Sequence, residues 1–383
     1  MKREGTKKIW TGIILLIAYL AVLFGCALGE DEGTGPAPLN KIFLTTSDFQ
    51  TGGIGLIDLD NLSPWEPDPS WAKDVASPDA LAVFFQGKIF VINRIPQDNI
   101  SVLEFDENRN LQLINQYSVK GEATSAANPY DLAFIPLEKK AYLSRYETTE
   151  LWVINPESGE LIKTIDLSQY ADLDGIPEMA FMLVHGSYVY LAIQRLDRTT
   201  PFWDPVGESY LLKLNWLTDQ VEGKILLSAP NPVTDLVWND ELGKILVGEA
   251  GFYGILDGGI DGIDPSTGTA QLIISEEQLG GDISDFVLLS ADTGYAGITT
   301  IDWSASKVVA FNPSTGEVIK EVYSTNASYP FDLELDTNGR LFITDRGNIT
   351  KPGVVVIDTS SDQVITNQPI EFTLPPYSLC RLE

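Results

Sequence analysis

Histidine is almost missing from this chain: His185 is the only one in 383 residues. Cysteine is nearly as scarce, with Cys26 and Cys380. A Ser/His/acid triad needs an imidazole beside its nucleophile, and zinc and copper sites draw on several His or Cys side chains. The inventory excludes His-rich metal centres and leaves one position at which a triad could form. Positive charge is scarce too, 25 Lys and Arg against 54 Asp and Glu, for a net charge of −29. That balance argues against a nucleic-acid partner and against docking on an anionic membrane by charge. No glycine-rich phosphate loop follows a strand and opens a helix, so nothing points to NAD or ATP. The sequence has one long apolar run, residues 9–24.

Lys2, Arg3, Lys7 and Lys8 precede that run, and Leu23-Phe24-Gly25-Cys26 closes it. Its length is marginal for a membrane span and suits the core of a signal peptide. Its close resembles a bacterial lipobox, a small residue before a Cys whose thiol is lipidated before cleavage. The resemblance implies a lipoprotein signal peptide over 1–25, a lipidated Cys26, and an extracytoplasmic place in a bacterial cell envelope. Membrane attachment would run through the lipid. Ala27 stands where an Asp would suggest inner-membrane retention, which implies the outer membrane if the organism has one. Residues 26–40 are acidic and rich in Gly and Pro, and read as a flexible tether. With Cys26 on lipid, Cys380 has no disulfide partner and reads as a small buried filler. Stability must then come from the core, and a chain of this size can bury enough.

The rest of the chain is organised around residues 329–358, YPFDLELDTNGRLFITDRGNITKPGVVVID. PFDLELD alternates apolar and polar residues as a half-buried strand does. Asn338-Gly339 is a hairpin signal, RLFITD a second strand, and GVVVID a third that is apolar enough to be covered on both faces. A turn at 359–362 leads to a fourth. The turn after the third strand recurs at Asp58, Asp106, Asn155, Asn215, Asp264, Asn312 and Asp358, in steps of 48, 49, 60, 49, 48 and 46 residues. A steady period of this size marks a radial array of four-stranded sheets. The first copy opens at Lys41 without a first strand, and PPYSLCRL at 375–382 aligns with the first strands of the other copies. The expected fold is therefore all-β: a seven-bladed β-propeller over 41–383, with four-stranded antiparallel blades and a ring closed by the C-terminal strand. Residues 331–345 resemble an NHL repeat. NPYDLAFIPLEKKAYLS and VINPESGELIKTI resemble the YVTN repeats of bacterial surface and periplasmic propellers. Those families include lactonases, scaffolds and ligand-capture proteins, so the resemblance speaks for architecture more than for activity.

In such a blade, the connection entering strand one and the loop joining strands two and three share a face. On that face the acids opening strand one align as Asp79, Asp131, Glu178, Asp235, Asp285 and Asp332, with Ser378 in seventh place. The residue ending strand two is Arg94, Arg145, Arg195 or Arg346 in four blades. Two readings are open. Each Arg can pair with its own blade's acid (Asp79–Arg94, Asp131–Arg145, Glu178–Arg195, Asp332–Arg346), or the four guanidinium groups can converge as an anion-binding mouth. Blades five and six lack the Arg. Their acids, among them Asp235, Glu249 and Asp285, are either a solvated edge or a set of oxygen ligands for Ca²⁺. The longest repeat carries its extra residues at 195–209, on the same face, where Arg198, Phe202 and Trp203 either grip a ligand or fold back on the blade. Tyr130, Phe331 and Tyr377 either line the mouth or pack between blades. His185 falls on the opposite face.

The leading expectation is a membrane-anchored, non-enzymatic propeller that captures a small molecule or an envelope protein on its Arg/aromatic face, without a cofactor. The alternatives are a Ca²⁺-dependent, lactonase-like hydrolase and an envelope scaffold. The resemblance to NHL-like lactonases fails at the mouth, where acids alternate with Arg and would repel a metal.

Overall fold

The computed structural model describes residues 39–121, 126–136, 138–347 and 351–382. Cys26 and the expected signal peptide lie outside the described residues. From Asn40 onward the chain forms one compact unit. It is all-β, with seven four-stranded antiparallel blades in a ring. Blade two shows the plan: Leu81–Phe85, Lys88–Asn93, Asn99–Phe105 and Leu111–Ser118 follow one another as a meander.

Why these residues make strands is plainest in the second and third of each blade. Phe43, Phe90, Tyr142, Tyr190 and Phe342 hold the same place in five second strands, and all are buried. Their neighbours are Ile, Val, Leu or Ala, so both faces of the strand are covered. The core lies between adjacent blades. Ile42, Leu44 and Ile57 of blade one meet Phe342, Val354 and Val356 of blade seven. The outer strands are more open: Gln220–Leu226 puts every second residue in solvent.

The recurring turn has a physical basis. At Asp58, Asp106, Asn155, Asn215, Asp264, Asn312 and Asp358 the side-chain oxygen accepts the N–H two residues on, at 2.8–3.0 Å. Each turn then passes through one residue of positive φ: Leu62, Arg109, Gly159, Asp219, Gly268, Gly316 and Asp362. Asx residues favour this turn because the side chain mimics a backbone carbonyl.

The ring closes as expected. Pro376–Arg381 pairs with Lys41–Ser47 in the register Ile42–Arg381, Phe43–Cys380 and Leu44–Leu379. Three departures from the simple plan appear. A helix at Pro69–Val75 follows the short outer strand of blade one; Asp68 caps its start, and Asn93 and Ser101 donate to the Val75 carbonyl at its end. The outer strand of blade seven is split into Gln363–Val364 and Ile370–Glu371. The extra residues of blade four fold into a small hairpin, Leu196–Asp197 with Asp204–Pro205.

Candidate ligand-binding site

The loops joining second to third strands surround a cavity of about 790 Å³, a vestibule at one end of the axis. Its walls are aromatic. Phe49 comes from blade one, Tyr146 from blade three, Phe202 and Trp203 from blade four, Tyr253 from blade five and Trp303 from blade six. Tyr130, Phe181, Tyr329, Phe331 and Tyr377 add rings from the approaches to first strands. Many of these rings hold one another. Tyr130 stacks on Tyr146 at 5.0 Å and meets Phe181 edge-on at 5.0 Å. Tyr146 stacks on Trp203 at 6.3 Å, and Phe202 on Trp303 at 6.2 Å. Phe202 is 60% exposed and Trp203 39%, so the blade-four insertion presents its aromatics to the opening.

The four aligned arginines have four different fates. Arg94 lines the vestibule. Its Nε donates to the Asp79 carbonyl at 2.8 Å and lies 3.3 Å from the Asp79 carboxylate, and its Nη2 donates to Tyr377 Oη at 2.8 Å. Arg346 also lines it, but without Asp332. Nη1 donates to the Pro376 carbonyl at 2.8 Å and Nη2 to the Ser47 carbonyl at 2.9 Å, while the guanidinium lies over Phe49 at 4.6 Å and Tyr377 at 5.5 Å. Arg145 is a correction. It is 1% exposed and packs over Trp152 at 3.9 Å, donating to the Val119 and Lys120 carbonyls and to Glu150. It braces blades two and three and is not part of the cavity wall. Arg195 is a second correction. It sits at φ 61° and donates to the Glu208 carbonyl at 3.1 Å, holding the base of the insertion. Its expected partner Glu178 goes instead to Arg198, at 2.9 Å. Arg198 also pairs with Glu147 and lies over Trp203 at 5.1 Å and Tyr146 at 5.5 Å. It supports the aromatic wall from behind and does not line the cavity.

The acids were aligned correctly in four blades and displaced in two. Asp131, Asp235, Asp285 and Asp332 line a channel of about 600 Å³ that adjoins the vestibule, with Glu334, Ser378 and Cys380. In blade two that place belongs to Leu81, since Asp79 lies in the turn before the strand. In blade four it belongs to Phe181; Glu178 stays outside the strand at φ 48°, in the place that Asn128 holds at φ 50° in blade three.

The structure also shows what the ring of acids does. The Met182 N–H donates to Asp131 Oδ2 at 2.7 Å, Leu333 N–H to Asp285 Oδ2 at 2.7 Å, and Leu379 N–H to Asp332 Oδ2 at 2.6 Å. Each acid thereby latches its blade to the first strand of the next. The expected pairs Asp131–Arg145 and Asp332–Arg346 do not form because these carboxylates are committed to backbone donors. Asp235 makes no such bond among the described residues. It stands open to the channel, yet is enclosed by protein, and burial pushes its carboxyl up to about 6. Burial and the Asp235 charge push Asp131 up to about 7, and burial pushes Glu334 up to about 7.

The three metal candidates are not brought together. Asp235 and Asp285 face the channel, whereas Glu249 is fully buried beside Asp261 and Glu276 and lines neither cavity. Glu249 ends a second strand, one register step from the axis-facing set. Among the described residues no three His, Cys, Asp or Glu side chains form a group that could hold a metal ion. His185 stacks on Trp238 at 3.7 Å and lines neither cavity. Cys380 is a free, buried thiol in the closing strand, which burial holds protonated.

Sequence reasoning overlooked Phe49, Tyr146, Phe181, Tyr253, Trp303 and Tyr329. For Phe49, Tyr146, Tyr253 and Trp303 the signal was regular: five of the seven loops between second and third strands carry at least one aromatic residue.

No family model matches the sequence, and no curated protein matches it. Solved structures do share the fold. A dihydro-heme d1 dehydrogenase, NirN, in complex with DHE superposes with a TM-score of 0.55 at 14% identity, over 90% of this chain and 76% of that one. AztD from Citrobacter koseri gives 0.50 at 13% identity, over 89% and 96%. A candidate 6-phosphogluconolactonase from Bacteroides uniformis gives 0.61 at 12% identity, over 88% and 98%. At such identities the likeness establishes the bacterial β-propeller fold alone.

Proposed function

We propose that this chain is a lipid-anchored envelope propeller of the YVTN/NHL kind, which captures a flat, largely apolar small molecule in its vestibule and performs no chemistry on it. The observation that carries this reading is the aromatic wall: a concave cavity of ligand size, lined by rings from most of the blades, with a few polar groups among them. No imidazole lies beside a nucleophile there. A propeller neighbour that holds DHE offers a precedent for ligand capture on this architecture. The Ca²⁺-dependent hydrolase has less support, because Glu249 is separated from Asp235 and Asp285. The lipobox-like end of the apolar run supports the anchor.

The two halves of the proposal separate in one set of variants. Cys26→Ser should release the protein from the membrane fraction without changing ligand capture. Trp303→Ala should weaken binding of the neutral dye N-phenyl-1-naphthylamine about tenfold, the loss expected for one stacking ring. Fluorescence titration that finds no binding by the unaltered protein, or equal binding by Trp303→Ala, would remove the vestibule reading.

A further inference from the structure

Resting on the vestibule as the ligand cavity, we infer that the captured molecule carries an oxyanion group, a carboxylate or phosphate, received by Arg346 together with Arg94. Arg346 is a buried cation, 9% exposed, and among the described residues no carboxylate reaches ion-pair distance; Asp48 acts on it only from farther off. Its Nε–H has no acceptor. Buried donors are nearly always satisfied, so an orphaned guanidinium N–H on a ligand-sized cavity marks a place kept for an acceptor. The two protein carbonyls occupy one N–H on each terminal nitrogen, which leaves three of its five donors.

Arg94 stands close by. Its Nη2 donates to the Tyr377 hydroxyl while the Arg346 guanidinium lies over the Tyr377 ring, so a single tyrosine links the two cations. The Arg94 guanidinium also lies over the Tyr130 ring at 5.1 Å, so it is held against the aromatic wall. Asp79 meets Arg94 on its Nε side at 3.3 Å, and the two carboxyls that line this cavity do not neutralise Arg346. Asp332 accepts from the Leu379 N–H and Asp282 from the Gly254 N–H, and burial raises both above the ordinary carboxylate range, toward the uncharged acid. In a chain of net charge −29, two guanidinium groups face one aromatic cavity. Arginine forks suit oxyanions, and the rings suit a flat body, so the ligand class is a flat aromatic anion.

The test compares 1-anilinonaphthalene-8-sulfonate with N-phenyl-1-naphthylamine, the same skeleton with and without an oxyanion. The intact chain should bind the sulfonate about tenfold more tightly, the worth of a charge-assisted hydrogen bond. Arg346→Gln should erase that preference, weakening the anionic dye about tenfold relative to the neutral one. Arg94→Gln should reduce it about threefold, and supplies the second test if Arg346→Gln does not fold. Raising salt should weaken the anionic dye alone. Equal affinity for the two dyes, or a preference that folded Arg346→Gln and Arg94→Gln variants leave undiminished, would overturn the oxyanion. If Trp303→Ala still weakens both dyes in that case, the vestibule reading stands and only the charge assignment falls.

Discussion

The two ends of the propeller axis are built from the same seven blades and have opposite characters. At one end each blade turns on an Asx side chain that accepts the N–H two residues on, followed by a residue of positive φ. At the other end the blades diverge. Blade three buries its arginine under Trp152, blade four extends a hairpin, blade five ends its second strand in buried Glu249, and blades two and seven leave arginines on the cavity. Repetition marks what holds the ring together. Divergence marks where the ring meets something else.

The strongest way to break this contrast is to open the ring. Removing residues 376–383 leaves Lys41–Ser47 without its inner neighbour and strips Asp332 of the Leu379 N–H. The expected result is loss of cooperative thermal unfolding by circular dichroism, at both ends of the axis alike. An unchanged melt would show that closure is dispensable.

Titration of the buried carboxyls, those of the channel and Glu276 outside it, gives a smaller effect. Asp235 is pushed to about 6, Asp131 and Glu334 to about 7, and Glu276, buried under the Gly258 and Ile283 N–H groups, to about 8. In the unfolded chain these groups titrate near 4. Between the two values the folded protein holds protons that the unfolded chain has released. Their contribution to stability is therefore complete below about pH 4 and lost as pH rises through 6 to 8. The melting temperature should fall from pH 5 to pH 8, and Asp235→Asn should flatten the decline, since that charge also pushes up Asp131, Asp285 and Asp332. A melting temperature that rises over this range would contradict the assignment.

The mildest change sharpens the comparison most. Asn312→Ala deletes one Asx turn and should cost about 1 kcal/mol in denaturant unfolding, with dye binding untouched. Trp303→Ala should show the reverse, altering binding while stability stays within about 0.5 kcal/mol. Matching effects at the two positions would erase the distinction between the ends.

The architecture was legible because its determinants are local and repeated. The Asx turns set a ruler, and the first-strand pattern at 375–382 reads against the others without any knowledge of contacts. Vestibule residues whose place follows from topology, Arg94, Arg346, Tyr130, Phe202 and Trp203, were legible for the same reason. Arg145 was not, because its fate depends on Trp152 and Glu150 across a strand pair, and register alone does not reveal a cation–π contact. Glu178 was misplaced because it holds the left-handed position that Asn128 holds in blade three, three residues ahead of the channel-facing place, and the apolar Phe181 that takes that place carries no acid to mark it. The acids themselves were found, but not their use: a carboxylate that accepts a neighbouring blade's N–H looks in sequence like one that meets an arginine.

Lys41–Ser47, where the chain enters the ring, is an interior strand of its blade, flanked by Gly52–Asp58 on one side and Pro376–Arg381 on the other. A pull applied at Leu39 is therefore resisted by hydrogen bonds on both sides at once. The load acts along the strand, as shear, and does not peel an edge open bond by bond.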